Sequence, residues 1–111
     1  MLWDPNKDKP VETELDAVGL LMHRTADYLE THRWCKNHLY YKGAVCMLGA
    51  LIKVDTGCKN PDHATQSSLV NQAIIRIAIK MGLRIVGWND DPGRKKSEVI
   101  AVLREAAKTQ T

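Results

Sequence analysis

The 111-residue chain suffices for one domain with one modest hydrophobic core. Its net charge of +3 and pI near 8.8 stay below the pI of about 9 that marks a nucleic-acid-binding domain. Three cysteines exclude a complete disulfide framework, and no segment approaches the roughly 20 apolar residues of a membrane span, so we expect a cytoplasmic protein with reduced thiols.

Residues 1–12 are polar, contain two prolines and are predicted to form an extended arm before a single domain at 13–111. The arm lacks the apolar segment of a signal peptide. Trp3 is unusual in such a segment, because a tryptophan in an arm generally docks on a surface. We expect Trp3 to dock on its own domain, and docking on a partner is the alternative.

The first helix is predicted from Glu14 to Arg33, where apolar residues recur at helical spacing. The sequence 13–16 resembles a capping box, with Thr as the N-cap and Asp at the third helical position. Gly19 either weakens this helix or permits a close contact. His23 and His32 are expected on its solvated side.

The next segment loses the helical period and predicts a β-hairpin that turns at Lys42-Gly43. Tyr40 and Tyr41 on its first strand are candidate interface residues. The apolar run at 46–52 predicts a short buried helix, in which Cys46 is interpreted as a small core residue. A loop is predicted at 55–62.

The strongest helical pattern covers residues 64–81 and ends at Gly82. Its apolar face is widened by Ile75 and Ile79, which predicts a central helix with neighbours on two sides. A brief extended segment at 83–86 and a last helix at about 95–108 follow. The pattern therefore predicts a mainly α single domain of about four helices with a small hairpin and a third short strand; an α+β fold is the alternative.

The stretch 84–94 between the last two helices is the principal candidate site, because it joins an apolar segment, a tryptophan, a polar run and a Pro-Gly turn. We expect Trp88 to be largely buried. Asn89, Asp90 and Arg94 are expected to hold the turn through hydrogen bonds and an Asp90–Arg94 ion pair. Whether the stretch is a binding site or only a structural turn stays open.

Two cysteine–histidine pairs supply four possible zinc ligands: Cys35, His38, Cys58 and His63. Zinc fingers place two cysteines together and two histidines together, so we predict no metal and no other cofactor. Cys46 with a histidine and Asn89 or Asp90 would supply the groups of a Cys-His-Asn arrangement, but its apolar neighbours disfavour a reactive thiol. No catalytic residue is assigned, and an enzyme is disfavoured without being excluded.

Nucleic-acid binding is the alternative function, because phosphate contacts need clustered cations. One basic face would form if the last two helices packed together, with these members: Arg76, Lys80, Arg84, Arg94, Lys95 and Lys96. The leading hypothesis is a non-enzymatic binding or regulatory protein that acts through a protein partner, because Trp3, Tyr40 and Tyr41 are residue types that dominate interfaces. Self-association stays open.

Two blocks, together with the Trp34 segment, resemble an uncharacterised family of small proteins from actinobacteria and their phages. They are Gly43-Ala44-Val45-Cys46-Met47-Leu48-Gly49-Ala50-Leu51 and Trp88-Asn89-Asp90-Asp91-Pro92-Gly93-Arg94, which match the family patterns Gly-x-Val-Cys-x-x-Gly-Ala-Leu and Trp-Asn-Asp-x-Pro-Gly-Arg. Lys95 stands where the family commonly has Thr, which removes one cap of the last helix. The resemblance implies a cytoplasmic protein of bacterial or phage origin and no particular activity.

Overall fold

The computed structural model describes residues 15–108, and within them the chain is mainly helical with one small hairpin, as predicted. A 3₁₀ turn lies at Pro61–His63. The other elements, in chain order, are α1 (Ala17–Thr31), β1 (Tyr40–Tyr41), β2 (Ala44–Val45), α2 (Met47–Thr56), α3 (Ser68–Met81), α4 (Ile85–Asn89) and α5 (Lys96–Ala107). None of these helices combines the length and hydrophobicity needed to cross a membrane. The predicted arm at 1–12, including Trp3, lies outside the described residues.

The core is organised around α1, which packs along α5 and also contacts α2 and α3. The two helices α1 and α5 are antiparallel. Lys96 at the start of α5 donates to the carbonyl of His32 after α1 (3.1 Å), while the carbonyl of Ala107 at the end of α5 faces Gly19 near the start of α1. Fully buried side chains from α1, α2, α3 and α5 meet in one cluster, including Met22, Leu51, Ile77 and Leu103.

Asp16 is the N-cap of α1 and not its third residue, so the predicted capping box was wrong in register. Its carboxylate accepts from the backbone N–H of Gly19 at 2.8 Å, which satisfies one of the first helical donors. Gly19 permits a close contact, because a Cβ there would lie 2.7 Å from the carbonyl oxygen of Ala107.

His23 is buried at 7% exposure, so its predicted place on the solvated side was wrong. The reason is that α5 covers this side of α1. Arg104 of α5 lies beside the ring, with Nη1 3.4 Å from Nδ1 of His23, and it pairs with Asp27 at 2.9 Å. His32 is exposed, as predicted.

The hairpin has the predicted turn, since both Lys42 (φ 48°) and Gly43 (φ 89°) adopt positive φ, as a tight two-residue turn requires. The third extended segment does not precede Trp88. It precedes the hairpin instead, where Trp34 forms an isolated parallel bridge with Val45.

Helix α2 extends the predicted short buried helix to Thr56, and its N-terminus lies very close to the preceding loop. The carbonyl of Leu39 accepts from the backbone N–H of Cys46 at 3.3 Å. A Cβ at Gly49 would lie only 2.2 Å from that same oxygen. Glycine at this position is therefore a packing requirement.

Helix α3 starts at Ser68, later than predicted, because Ser67 caps it by accepting from Val70 N–H (3.1 Å). It ends at Gly82 (φ 69°), as predicted. The prediction that Ile75 and Ile79 belong to the buried face was wrong, since they are 56% and 79% exposed. The neighbouring helices cover only the opposite face of α3, which leaves this side without a described neighbour.

The segment after α3 is a five-residue helix, α4, so the predicted extended segment at 83–86 and third strand were wrong. Helical spacing places Ile85 and Asn89 on one face, and both are buried, while Val86 is 50% exposed. Helix α5 starts within a residue of its predicted start, where the carboxylate of Glu98 accepts from the backbone N–H of Lys95 at 2.8 Å. This bond satisfies the N–H of the N-cap residue itself, whereas a threonine at this position would accept from an N–H of the first helical turn.

Gly49→Ala and Gly87→Ala should change stability in opposite directions. The added methyl at position 49 meets a backbone oxygen, so we expect a loss of more than about 2 kcal/mol in the free energy of unfolding. At Gly87, within α4, nothing lies within 4 Å of an added Cβ, and alanine should stabilise by about 0.5–1 kcal/mol. Urea denaturation measures both, and equal effects would contradict the close approach at Gly49.

Asp16 should make stability depend on acid pH. Mainly through its hydrogen bond, Arg76 lowers the pKa of Asp16 from 3.8 to about 2. A depressed folded-state pKa stabilises the fold above pH 4 or so, and this contribution disappears as the pH falls from 3.8 toward 2. Asp16→Asn keeps a capping oxygen and loses the ion pair, so it should be less stable at pH 7.

The expected difference between the native protein and Asp16→Asn is below about 1 kcal/mol, because the Asp16 side chain is 53% exposed and solvent screens the pair. Urea denaturation between pH 7 and pH 2 should show the difference shrinking to nothing. A difference that stays constant over this range would contradict the role of the ion pair.

Candidate functional site

The side-chain amide of Asn89 is fully buried and makes four hydrogen bonds. Its Oδ1 accepts from the indole Nε1 of Trp34 (2.6 Å) and from the backbone N–H of Met47 (3.1 Å). Its Nδ2 donates to the carbonyl of Cys35 (3.2 Å) and to Oδ1 of Asp90 (3.0 Å). Two donors and two acceptor positions are the full capacity of a carboxamide, so Asn89 is completely satisfied.

Further bonds hold residues 34–37 against the turn at 89–92. Oδ1 of Asp90 accepts from the backbone N–H of Asn37 at 2.7 Å, and Nζ of Lys36 donates to the carbonyl of Pro92 at 2.8 Å. Asn37 adopts the left-handed conformation (φ 67°) in this loop. The predicted turn residues therefore position a second loop that is about 50 residues away in the sequence.

Trp88 is partly exposed and packs against the hydrophobic core, so its ring lies between the core and the surface. The guanidinium of Arg94 lies over its ring at 3.8 Å from the centroid, and Nε donates to the carbonyl of Trp88 at 2.8 Å. The ion pair of Arg94 is with Glu98 at 3.5 Å and not with Asp90, whose carboxylate faces the 34–37 loop. The indole N–H that donates to Asn89 is that of Trp34.

The hairpin and the loop before it contribute an exposed pair of stacked rings next to the 34–37 loop. Tyr41 is 47% exposed, and its ring stacks on His38 with the centroids 4.7 Å apart. His38 and Val86 also line a cavity of about 120 Å³, which has Asp90 among its walls. We call His38, Tyr41 and Val86 the hairpin surface. Tyr40, the other candidate, is half-buried.

Cys46 opens into the same cavity, so the structure brings a cysteine, His38 and Asp90 close to one another. The thiol is the N-cap of α2 and accepts from the backbone N–H of Gly49 at 3.4 Å. Burial raises the pKa of Cys46, and the nearby carboxylate of Asp90 raises it further. These factors disfavour the thiolate that a cysteine nucleophile needs, and the thiol serves as a cap.

The two cysteine–histidine pairs lie at opposite ends of α2. Cys35 is bonded to Asn89 near the helix start, and its thiol donates to the carbonyl of His38 at 3.4 Å. Cys58 and His63 follow the end of the helix, about 15 Å along its axis. Over residues 15–108, no three histidine, cysteine or acidic side chains are close enough together to hold a metal ion.

Three of the predicted basic residues divide between the two ends of the α1–α5 pair. Arg76 pairs with Asp16 before α1, and Lys80 donates to the carbonyl of Lys108 (3.0 Å) at the end of α5. Lys96 contacts His32 after the other end of α1, which is about 22 Å long. Arg84 and Lys95 are exposed. The cations at the two ends are too far apart to act as one cluster.

Asn89→Leu should destabilise the protein strongly, because a side chain of similar size removes all four hydrogen bonds. The N–H groups of Trp34 and Met47 and the carbonyl of Cys35 lose their partner. At about 1–3 kcal/mol for each unsatisfied buried group, we expect a loss of at least 3 kcal/mol or so. Trp34→Phe removes one donor and should cost less.

The double variant tests whether the two side chains act together. If the Trp34–Asn89 bond connects them, the double variant loses less than the sum of the single losses, by about 0.5–3 kcal/mol. Urea denaturation of the four proteins gives this coupling energy, and strict additivity would contradict it. Asn71→Leu, at an exposed asparagine of α3, is the control and should change stability by less than about 0.5 kcal/mol.

Comparison with known proteins places the chain in a family without an assigned role. The model of the Family of unknown function (DUF6197) matches residues 14–109, which include all the described elements and both blocks that carry the family resemblance. No match was found among curated proteins or among solved structures. Because the match covers most of its length, this chain belongs to the DUF6197 family.

Proposed function

We propose that this protein is a non-enzymatic binding protein that acts through a protein partner in the cytoplasm of an actinobacterium. It is encoded either by the bacterium or by a phage that infects it. The observation that carries the proposal is the hairpin surface. It exposes a stacked His38–Tyr41 pair and the side chain of Val86 around one small cavity. Aromatic side chains in such positions contribute much of the energy of protein interfaces.

The rigidity of this surface supports binding. Asn89 and Asp90 bond the 34–37 loop that leads into the hairpin, and Val86 belongs to the same short helix as Asn89. The backbone near the exposed side chains is therefore held in place before any partner binds. Binding to a fixed surface loses less conformational entropy than binding to a mobile one, so more of the contact energy is available as affinity.

The cavity indicates what a partner would present. Its volume of about 120 Å³ accommodates a small aliphatic side chain, and the walls combine apolar groups (Leu39, Val86) with Asp90. The adjoining aromatic pair offers a flat face for a larger side chain. A short protein segment with one small apolar residue beside a larger residue fits this surface best.

The cytoplasmic location is supported by the cysteines. Cys35, Cys46 and Cys58 are all free thiols. Free thiols persist in reducing compartments, which favours the cytoplasm over a secreted location.

Capture from an actinobacterial lysate tests the proposal. The native protein should retain a defined partner, and the double variant Tyr41→Ser/Val86→Ser should lose it. Both residues are exposed, so each change should alter stability by less than about 0.5 kcal/mol. Melting curves verify that the variant is folded.

Ile75→Ser is the matched control, because Ile75 is about as exposed as Tyr41 and lies on α3. It should retain the partner. Loss of capture in Ile75→Ser with retention in the double variant would contradict the hairpin surface. Salt-sensitive binding to random DNA, in place of protein capture, would favour the nucleic-acid alternative.

A further inference from the structure

The outer face of α3 carries an apolar surface that the described residues leave open. Ile75 and Ile79, one turn apart, are 56% and 79% exposed. They line a groove of about 360 Å³ together with Val18, Gln72, Arg76 and Lys80. An exposed apolar groove is a candidate contact site in a folded protein.

The start of the described chain lies at the edge of this groove. Val18 is one wall, and Asp16, two residues earlier, pairs with Arg76, which is another wall. Leu15 is half-buried directly before this pair. Residues 1–14 therefore join the domain beside the groove and need no crossing of the molecule to reach it.

The composition of residues 1–14 complements the groove. They contain Met1, Leu2, Trp3 and Val11 as apolar side chains, and four carboxylates against two lysines. Of the two cations on the walls of the groove, Arg76 is paired with Asp16, whereas Lys80 donates to the backbone carbonyl of Lys108. An indole buries about 150–250 Å² on docking, which suits an apolar groove with isoleucine walls.

The length of the segment is sufficient. Trp3 precedes Leu15 by twelve residues, which span up to about 40 Å when extended. From Arg76 to Ile79 the helix rises about 4.5 Å. The segment therefore reaches the far end of the groove even with bends at its two prolines.

The other groove beside the start of α1 fits less well. It measures about 230 Å³ and lies between α1, the end of α2 and the start of α3. Its charged walls are Arg24 and Asp55, of opposite sign, and its leucines are at least half-buried. It lacks the exposed isoleucines of the α3 groove.

We propose that residues 1–14 dock across α3 of the same chain, with the indole of Trp3 between Ile75 and Ile79 and the carboxylates directed to the Lys80 side. The contact is intramolecular and independent of the hairpin surface. Any other molecule that binds this face of α3 must then displace the segment.

Fluorine NMR of the full-length chain labelled with 5-fluorotryptophan tests the docking. The three tryptophans give three signals, and Trp3→Phe identifies that of Trp3. A soluble nitroxide broadens signals in proportion to their exposure. In the native chain the Trp3 signal should be protected, and Ile79→Ser should increase its broadening several-fold and shift it, with the signals of Trp34 and Trp88 unchanged.

Val86→Ser is the control, because Val86 is another exposed β-branched residue and lies on a different surface, so the change should leave the Trp3 signal unchanged. Ile79 is 79% exposed, so Ile79→Ser should fold, which melting curves verify. A Trp3 signal as exposed as free tryptophan, or one that ignores Ile79→Ser, overturns the proposal. Protection that disappears on dilution assigns the groove to a second copy and also overturns it.

Discussion

The structure depends on the satisfaction of one buried amide. Asn89 has no solvent to bond, so each donor and acceptor of its side chain must be matched within the protein. The four partners belong to the 34–37 loop, to the first residue of α2 and to the turn after α4. None of these segments can move alone without leaving a buried polar group unpaired, at a cost of about 1–3 kcal/mol each.

This constraint explains why the hairpin surface has a defined shape although its two strands have only two residues each. An isolated hairpin is at best marginally stable. Here the loop before it is bonded to Asn89. The residue before the next helix, Cys46, donates its backbone N–H to the carbonyl of Leu39, and its thiol caps α2. The close approach at Gly49 brings α2 against the same loop.

The long helices, the hairpin turn and the stop at Gly82 were predictable from sequence, because periodicity and turn residues act locally. Helix α4 was not, since five residues make less than two turns and cannot show a helical period. The burial of His23 and the exposure of Ile79 depend on which neighbouring helix covers each face. The local sequence pattern carries no information about those neighbours. The Trp34–Asn89 bond joins residues 55 positions apart, so only the tertiary fold shows that the Asn in the family-like block is a buried connector.

The two exposed surfaces have different relations to the fold. The hairpin surface rests on buried polar bonds, so a change beneath it, at Asn89, alters both its shape and the stability of the domain. The outer face of α3 rests on a helix whose opposite face, with Val70, Ala73 and Ile77, already fills the core. Polar substitutions on that outer face therefore leave the core unchanged. Ile75 and Ile79 lie outside that core, so a contact between them and another segment can be tested by substitution without disturbing the fold.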